Sequence, residues 1–178
     1  FVHRDIKPSN ILTREGPENP LCLIDFGLSR VYINPDNGQH MLPRKRVGFR
    51  GTRAYASQNA HLSKDLSRRD DLISWFYLTY EFLIEPLPWR GETEKRLILE
   101  MKESFDVDSK VLPIYPELGE IWKHISGLAF SETPNYKQIY NLLLQMLEKD
   151  ADGKMDDPFD WFEILHQHRN KVAKAFEN

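Results

Sequence analysis

The string "HRDIKPSN" at residues 3–10 brings several chemically complementary side chains close together in the chain. Asp5 carries a carboxylate that can accept the proton of an incoming hydroxyl, which is the task of a general base. Lys7 is a compact cation suited to neutralising a transferring phosphate. Asn10 and, further along, Asp25 offer hard oxygen ligands of the kind that Mg²⁺ prefers beside substrate phosphates. A base, a cation and two metal ligands are the groups that phosphoryl transfer requires.

These residues stand in two strings that resemble protein kinase motifs. "HRDIKPSN" is similar to the kinase catalytic loop, and "DFG" at 25–27 is similar to the metal-binding motif that follows it after an apolar strand. A lysine two positions after Asp5 resembles serine/threonine kinases rather than tyrosine kinases. The resemblance implies ATP and Mg²⁺ as cofactors, with Asp5 as base, Lys7 as phosphate contact, and Asn10 and Asp25 as metal ligands.

The resemblance also implies roles for residues that do no chemistry themselves. Thr52 is expected to support the catalytic loop, and Leu12 is expected to lie under the adenine. His3 and Phe26 resemble the lower members of a hydrophobic column that keeps the two loops in register. Asp71, in "RRDDLIS", resembles the helix aspartate that anchors the catalytic-loop backbone. Without the family, Asp71 is simply a carboxylate that the N-terminus of a helix favours.

Length and composition fit one ordinary globular domain around this chemistry. The chain has 178 residues, 40% of them hydrophobic, and a formal net charge of −3. That charge gives no overall attraction to nucleic acid or to an anionic membrane. The longest apolar stretch, 75–84, is too short to span a bilayer and contains Glu81. A single cysteine fits a reducing compartment, so we expect a cytoplasmic protein that could also enter the nucleus.

The first part of the chain predicts a strand and then a long loop. Residues 21–24 form a short apolar run typical of a strand, and we expect Cys22 within it to be buried and inert. Residues 27–51 are polar and rich in turn residues, which indicates a functional loop.

The rest of the chain predicts helices. Ser67 followed by Asp70 resembles a capping box at the start of a helix over 69–84, which Pro86 would end. Further helices are predicted over 92–105, 116–129, 136–149 and 159–176. The whole is an α+β chain, a mainly helical domain with a few short strands at its beginning, and the resemblance implies a protein kinase-like fold.

Two departures from most kinases indicate a branch of the family. Ser57-Gln58-Asn59 stands where most kinases have Ala-Pro-Glu, and Thr133 stands where the Arg that pairs with that Glu is expected. The replacement of both members of this Glu–Arg pair resembles the casein kinase one superfamily. Within it, "GFRGT", "YASQNAHL", "RRDDL", "LPWR" and "DPFDWF" look most like the tau-tubulin kinases. Unlike that family, this chain reads "GTRAYAS", which places Arg53 one position early and puts Ala54 before the tyrosine.

The segment between residues 25 and 59 is locally basic. It holds six Lys and Arg residues against two acidic ones, whereas the remaining residues hold 18 basic and 25 acidic. We hypothesise that Arg44, Lys45, Arg46 and Arg50 favour acidic or already phosphorylated protein substrates. The alternative is an ordinary solvated loop. Nucleic acid is not an expected partner, because the cluster is short and lacks interleaved aromatic residues.

The resemblance also divides the chain. It implies a catalytic loop at 1–12, an activation segment at 25–59, a helical lobe at 60–165 and a C-terminal extension at 166–178. No glycine-rich phosphate loop, strand lysine or adenine hinge occurs in the sequence, so we expect a C-terminal lobe that lacks its N-terminal partner and is inactive alone. The parent protein would then be a serine/threonine kinase; the alternative is a non-catalytic pseudokinase or binding module made of an isolated C-terminal lobe.

Overall fold

A computed structural model describes residues 1–14, 20–45 and 47–149, together with residues 159, 161 and 164. Its elements mix helices with a small sheet, as the α+β expectation requires. The predicted helix over 159–176 and the C-terminal extension lie outside the described residues, apart from these three positions.

A short β-hairpin forms the beginning of the chain. Strand β1 (Ile11–Thr13) pairs antiparallel with β2 (Leu21–Leu23), and Ile11 lies opposite Leu23. The N–H of Ile24 donates to the carbonyl of Asn10 at 2.9 Å and extends this pairing by one bond. The hairpin therefore brings the end of the "HRDIKPSN" string beside the start of "DFG". Cys22 is only half-buried rather than buried, and the Arg14 guanidinium donates to its Sγ.

Helices are the main regular structure in the rest of the described residues. The bounds are α1 (Gln58–His61), α2 (Arg68–Leu83), α3 (Lys95–Glu103), α4 (Val107–Lys110), α5 (Pro116–Gly127) and α6 (Tyr136–Lys149). The predicted helix over 92–105 is shorter than expected, and the four-residue helices α1 and α4 were not predicted. Helix α2 ends just before Pro86, which has no N–H with which to continue it.

Helix α2 is the centre of the core. Its Phe76, Tyr77 and Tyr80 are fully buried, and the Tyr77 ring meets the buried Trp89 ring edge-on at 5.0 Å. Helix α5 packs on its flank, and α6 packs on α5. In the part of the chain that the structure describes, no helix combines the length and the apolar character needed to cross a membrane.

Candidate active site

The backbone of the catalytic loop is hydrogen-bonded to the first turn of α2. The carboxylate of Asp71 accepts the His3 N–H at 2.6 Å and the Arg4 N–H at 2.7 Å. Burial raises the pKa of Asp71, although these two N–H donors oppose the shift. Arg4 adopts a φ of 70°, which is uncommon for a residue with a side chain. The two bonds to Asp71 flank this strained position and fix the loop that carries Asp5.

The Asp5 carboxylate is the centre of a compact polar cluster. Its Oδ1 accepts the Thr52 hydroxyl at 2.8 Å, and its Oδ2 lies 2.8 Å from the Lys7 amine. The Asn10 amide donates to the Asp5 carbonyl at 2.9 Å and to Oδ2 at 3.3 Å. Burial alone would raise the pKa of Asp5, but the bonds from Lys7 and Thr52 outweigh it and leave the pKa below its ordinary value. Asp5 is therefore an ionised acceptor at neutral pH.

Thr52 reaches Asp5 because the preceding residue has no side chain. Gly51 has a φ of 98°, and a Cβ placed there would come within 2.6 Å of the Arg4 carbonyl oxygen. Only glycine permits this close approach of the activation segment to the catalytic loop. The Lys7 amine also donates to the Thr52 hydroxyl at 3.1 Å. Asp5, Lys7 and Thr52 thus contact one another.

His3 links the catalytic loop to the "DFG" turn. Its Nδ1 accepts the Asp5 N–H at 3.3 Å, and its Nε2 lies 3.0 Å from the Ile24 carbonyl. Both contacts are satisfied when the neutral ring carries its proton on Nε2. The ring also meets Phe26 edge-on at 5.0 Å. His3 and Phe26 therefore touch, as the resemblance implies.

Asn10 and Asp25 have the donor chemistry of a magnesium site. The Asn10 amide nitrogen is used by Asp5, which leaves its carbonyl oxygen as the group to offer a metal. Asp25 is exposed, and its backbone adopts the left-handed conformation with a φ of 62°. One of its carboxylate oxygens accepts the Gly27 N–H at 3.3 Å. One amide oxygen and one carboxylate suit Mg²⁺, which takes few protein ligands and completes its shell with water and phosphate. Leu12, on β1, is 48% exposed.

Ser57 and Asn59, in the string that replaces Ala-Pro-Glu, are held by the carboxylate next to Asp71. Asp70 Oδ1 accepts the Ser57 hydroxyl at 2.6 Å and the Asn59 amide at 2.9 Å. Its Oδ2 accepts the Ser67 N–H at 2.8 Å, which is the capping contact that the sequence predicts. Sequence analysis found only this capping role. The two further partners lie 11 and 13 residues away, and no local pattern indicates them.

Sequence analysis also missed a buried lysine. Lys102 on α3 is 2% exposed, and its amine donates to the Arg53 carbonyl at 2.8 Å and the Ala56 carbonyl at 2.5 Å. The signal was present in the helical spacing, since Lys102 lies four residues after the buried Ile98 and so on the same face of α3. Arg53, which stands one position earlier than the resemblance implies, donates to the Thr93 carbonyl at 2.6 Å. The carbonyl of the neighbouring Ala54 accepts from the Trp89 indole.

Of the four basic residues proposed to contact substrate, Arg44 has an internal partner. Asp65, whose side chain is 1% exposed, accepts from the Arg44 N–H at 2.9 Å and pairs with its guanidinium at 2.9 Å. Arg30 donates to the same carboxylate. Burial alone would raise the pKa of Asp65, but these donors hold it well below its usual range. The Arg44 side chain remains 47% exposed.

The other proposed substrate contacts are less constrained. Lys45 and Arg50 are exposed, and Arg50 donates to the Phe49 carbonyl. Arg46 lies outside the described residues. Burial lowers the pKa of Arg4, and the nearby charges of Arg44, Arg30 and Arg50 add to the effect. Arg30 and Arg44 pair with the same Asp65 carboxylate, and Arg4 and Arg50 line one small pocket. A cationic patch therefore lies beside the catalytic loop.

Comparison with known proteins identifies the family of the chain. Residues 1–157 match the family model described as "Protein kinase domain". The chain is 41% identical over 167 residues to a probable serine/threonine-protein kinase of Dictyostelium discoideum, a match that covers 90% of this chain and 32% of that protein. The match confirms the expected kinase-like fold.

Casein kinase I homologues are also similar to this chain. A homologue from Kluyveromyces lactis is 34% identical over 175 residues, and casein kinase I homolog 1 of Saccharomyces cerevisiae is 34% identical over 173 residues. Each match covers 92% of this chain and 32% of the relative. The chain thus spans about a third of the length of the curated relatives it matches.

Proposed function

Because this chain belongs to the protein kinase domain family, we propose that it carries the catalytic residues of a serine/threonine kinase that transfers the γ-phosphate of ATP to protein hydroxyls. One observation carries the proposal. The Asp5 carboxylate is ionised and held at both oxygens, with Thr52 on Oδ1 and Lys7 on Oδ2. A fixed, ionised carboxylate beside a cation is what orienting a nucleophilic hydroxyl next to phosphate requires.

Each residue of this cluster then has a separate task. Asp5 accepts a hydrogen bond from the substrate hydroxyl, whose oxygen bonds to the γ-phosphorus as the bond to the bridging oxygen of ADP breaks. The hydroxyl proton passes to Asp5. Lys7 neutralises charge on the transferring phosphate, and Thr52 holds the carboxylate in orientation. ADP leaves with the electron pair of the broken bond.

Asn10 and Asp25 are proposed to hold Mg²⁺ when it is bound. The metal supplies charge neutralisation on the phosphate oxygens. Asn10 can present its carbonyl oxygen because Asp5 occupies its amide, and the left-handed turn at Asp25 leaves one carboxylate oxygen without a backbone donor. Leu12 is proposed to lie under the adenine. Its 48% exposure on β1 leaves apolar surface for such a contact.

We further propose that these residues need a second lobe. A glycine-rich loop and a strand lysine for the ATP phosphates do not occur in the 178 residues. Apolar side chains on the hairpin side are exposed, including Leu21 and Phe26, which gives such a lobe a surface to cover. The chain alone is expected to show no turnover. Addition of the remainder of the protein should restore it.

The casein kinase I relatives support a finer proposal about the branch and the substrate. We propose a tau-tubulin kinase-like enzyme of the cytoplasm, with access to the nucleus, that prefers acidic or already phosphorylated proteins. The supporting feature is the cationic patch of Arg4, Arg30, Arg44 and Arg50, in which only Arg30 and Arg44 have an ion-pair partner among the described residues, the carboxylate of Asp65. Excess positive charge beside the base would attract an acidic peptide.

The catalytic assignment is tested with Asp5→Asn in the complete protein. Losing a general base is expected to lower kcat by about 10²- to 10⁴-fold in a radiolabelled phosphate-transfer assay. Asp36→Asn, the same chemical change on the exposed loop, is the matched control and should retain wild-type kcat. Equal rates for Asp5→Asn and wild type would refute the assignment.

The substrate preference is tested with Lys45→Ala combined with Arg50→Ala. The double variant is expected to raise KM about tenfold for a peptide with acidic residues beside its serine. For the same peptide with those acidic residues neutralised, KM should change little. Arg96→Ala removes another exposed guanidinium, on α3, and serves as the control. The same KM change for both peptides would show that the basic residues do not select acidic substrates.

A further inference from the structure

Lys102 is a buried amine whose contacts are unlike those of an ordinary ion pair. Among the residues that the structure describes, no carboxylate pairs with it, and burial alone lowers its pKa to about 6. A buried ammonium without a counter-ion is costly, which favours the neutral amine at neutral pH, and the two N–H groups of that amine still need acceptors. Its partners are two backbone carbonyls, those of Arg53 and Ala56, at 2.8 and 2.5 Å.

Those two carbonyls belong to one turn, which we call the 52–56 turn. Within it, the N–H groups of Tyr55 and Ala56 donate to the Thr52 carbonyl at 3.0 and 2.8 Å. Lys102 therefore binds both sides of a turn that is already closed by its own backbone. A single amine with several donors can span two carbonyls, which a neutral hydroxyl with one donor cannot do. The turn is clamped to helix α3 at this point.

The remaining surroundings of the amine hold it in place. It lies 4.8 Å from the centre of the Tyr77 ring on α2 and 5.1 Å from that of Trp89. His61, on α1, places its Nε2 3.4 Å from the amine and 3.1 Å from the Arg53 carbonyl. Burial, with the nearby charge of Lys102, lowers the pKa of His61 to about 4, so the imidazole is neutral. The titratable groups that face the amine are thus His61 and Tyr77.

The clamped turn begins at a residue of the active site. Thr52, its first residue, donates its hydroxyl to Asp5 at 2.8 Å and accepts from Lys7 at 3.1 Å. A shift of the turn would carry the Thr52 hydroxyl away from the carboxylate. Small displacements of a positioned group can cost about 100-fold in rate.

From these contacts we propose that Lys102 is a positioning residue for the active site. Its amine fixes the 52–56 turn to α3 and thereby sets the orientation of Thr52 against Asp5. The link to catalysis rests on the proposed kinase function, whereas the clamp on the turn does not.

The clamp is tested by amide hydrogen exchange on Lys102→Met, which keeps an unbranched, apolar side chain in the pocket and removes all donors. Exchange at the amides of Tyr55 and Ala56 is expected to rise about tenfold, the effect of losing one net hydrogen bond. Exchange in α5 and α6 should rise less. Lys123→Met, an exposed lysine on α5, is the matched control and should leave the turn unchanged. A uniform rise across the chain, or no rise at the turn, would overturn the proposal.

The link to catalysis is tested with the same variants in the complete protein. Lys102→Met is expected to lower kcat about tenfold and to raise KM for the protein substrate, with KM for ATP unchanged. A mere loss of folded protein would lower apparent kcat and leave both KM values as they were, and that result would overturn the positioning role. If the wild type transferred no phosphate, the proposed function would fail, and the exchange experiment would still decide whether Lys102 clamps the turn.

Discussion

The catalytic loop and the end of the activation segment are both held by the first turn of α2, through adjacent aspartates that bind different kinds of group. Asp71 accepts two backbone N–H groups, from His3 and Arg4. Asp70 accepts side-chain donors, the Ser57 hydroxyl and the Asn59 amide. One anchor depends on the path of the backbone, and the other depends on which residues the segment carries.

This difference decides how each region could vary. A backbone anchor tolerates changes of side chain in the loop as long as its path is kept, since every residue except proline offers an N–H. A side-chain anchor fails when its donor residue is replaced. The activation segment compensates with a second attachment, because Lys102 binds its carbonyls from α3. The segment therefore has two attachments of different chemistry to the helices, whereas the catalytic-loop backbone is held to α2 by Asp71.

The largest effect is expected from weakening the backbone anchor. In Asp71→Asn the amide can accept at one oxygen only, so one buried N–H, of His3 or Arg4, faces a donor. We expect the free energy of unfolding to fall by about 2–4 kcal/mol and kcat to fall about 100-fold. Urea denaturation and a phosphate-transfer assay measure the two changes. A normal kcat in the folded variant would show that the loop keeps its path without Asp71.

A smaller effect is expected from the side-chain anchor. Asp70→Asn keeps one acceptor oxygen, and its new amide can donate to the Ser57 hydroxyl oxygen, so part of the network can re-form. We expect a loss of about 1–2 kcal/mol in unfolding free energy and about a tenfold rise in KM for the protein substrate. Asp108→Asn, an exposed aspartate on α4, is the control. If Asp70→Asn were as damaging to kcat as Asp71→Asn, the distinction between the two anchors would be wrong.

The same distinction explains what could be predicted from the sequence. The catalytic-loop chemistry could be predicted because Asp5, Lys7 and Asn10 lie within one short string, and residues so close in sequence are also close in space. The Asp71 contact was expected from the resemblance, and the structure places its carboxylate on the loop backbone. Helices α2, α5 and α6 were predicted because apolar periodicity and capping residues act locally.

The second attachment depends on long-range packing and was not predicted. Lys102 meets the Arg53 carbonyl across 49 residues of sequence, and Asp65 meets the Arg44 side chain across 21. A lysine in a helix is normally assigned to the solvent face, because burial of an ammonium is costly. The compensating carbonyls belong to a turn whose path cannot be read from residue types. A charged residue at a buried helical position is therefore a signal worth testing against such turns.

A further effect concerns pH and separates the Asp71 anchor from the Lys102 attachment. Burial raises the pKa of the Asp71 carboxyl and lowers that of the Lys102 amine, because burial disfavours both charged forms. At pH values between the ordinary carboxyl pKa and the raised pKa of Asp71, the folded state binds more protons than the unfolded chain. The unfolding free energy therefore falls as pH rises through that range. The lowered Lys102 pKa acts in the opposite direction, because the unfolded chain binds the extra proton between about 6 and the ordinary value of 10.5.

The contribution of Lys102 to the unfolding free energy should therefore rise with pH in this window, by up to about 1.4 kcal/mol per pH unit. Lys102→Met lacks the group, so wild type should gain stability over the variant as pH increases from about 6.5 to 9. Urea denaturation of both proteins measures the difference, in which the titrations they share cancel. Lys123→Met reports the general effect of losing a surface charge. A stability difference that stayed constant with pH would mean that Lys102 remains charged in the folded protein. Two carbonyls and two aromatic rings would then suffice to hold a buried ammonium, without the carboxylate chemistry that Asp71 uses to hold the catalytic loop.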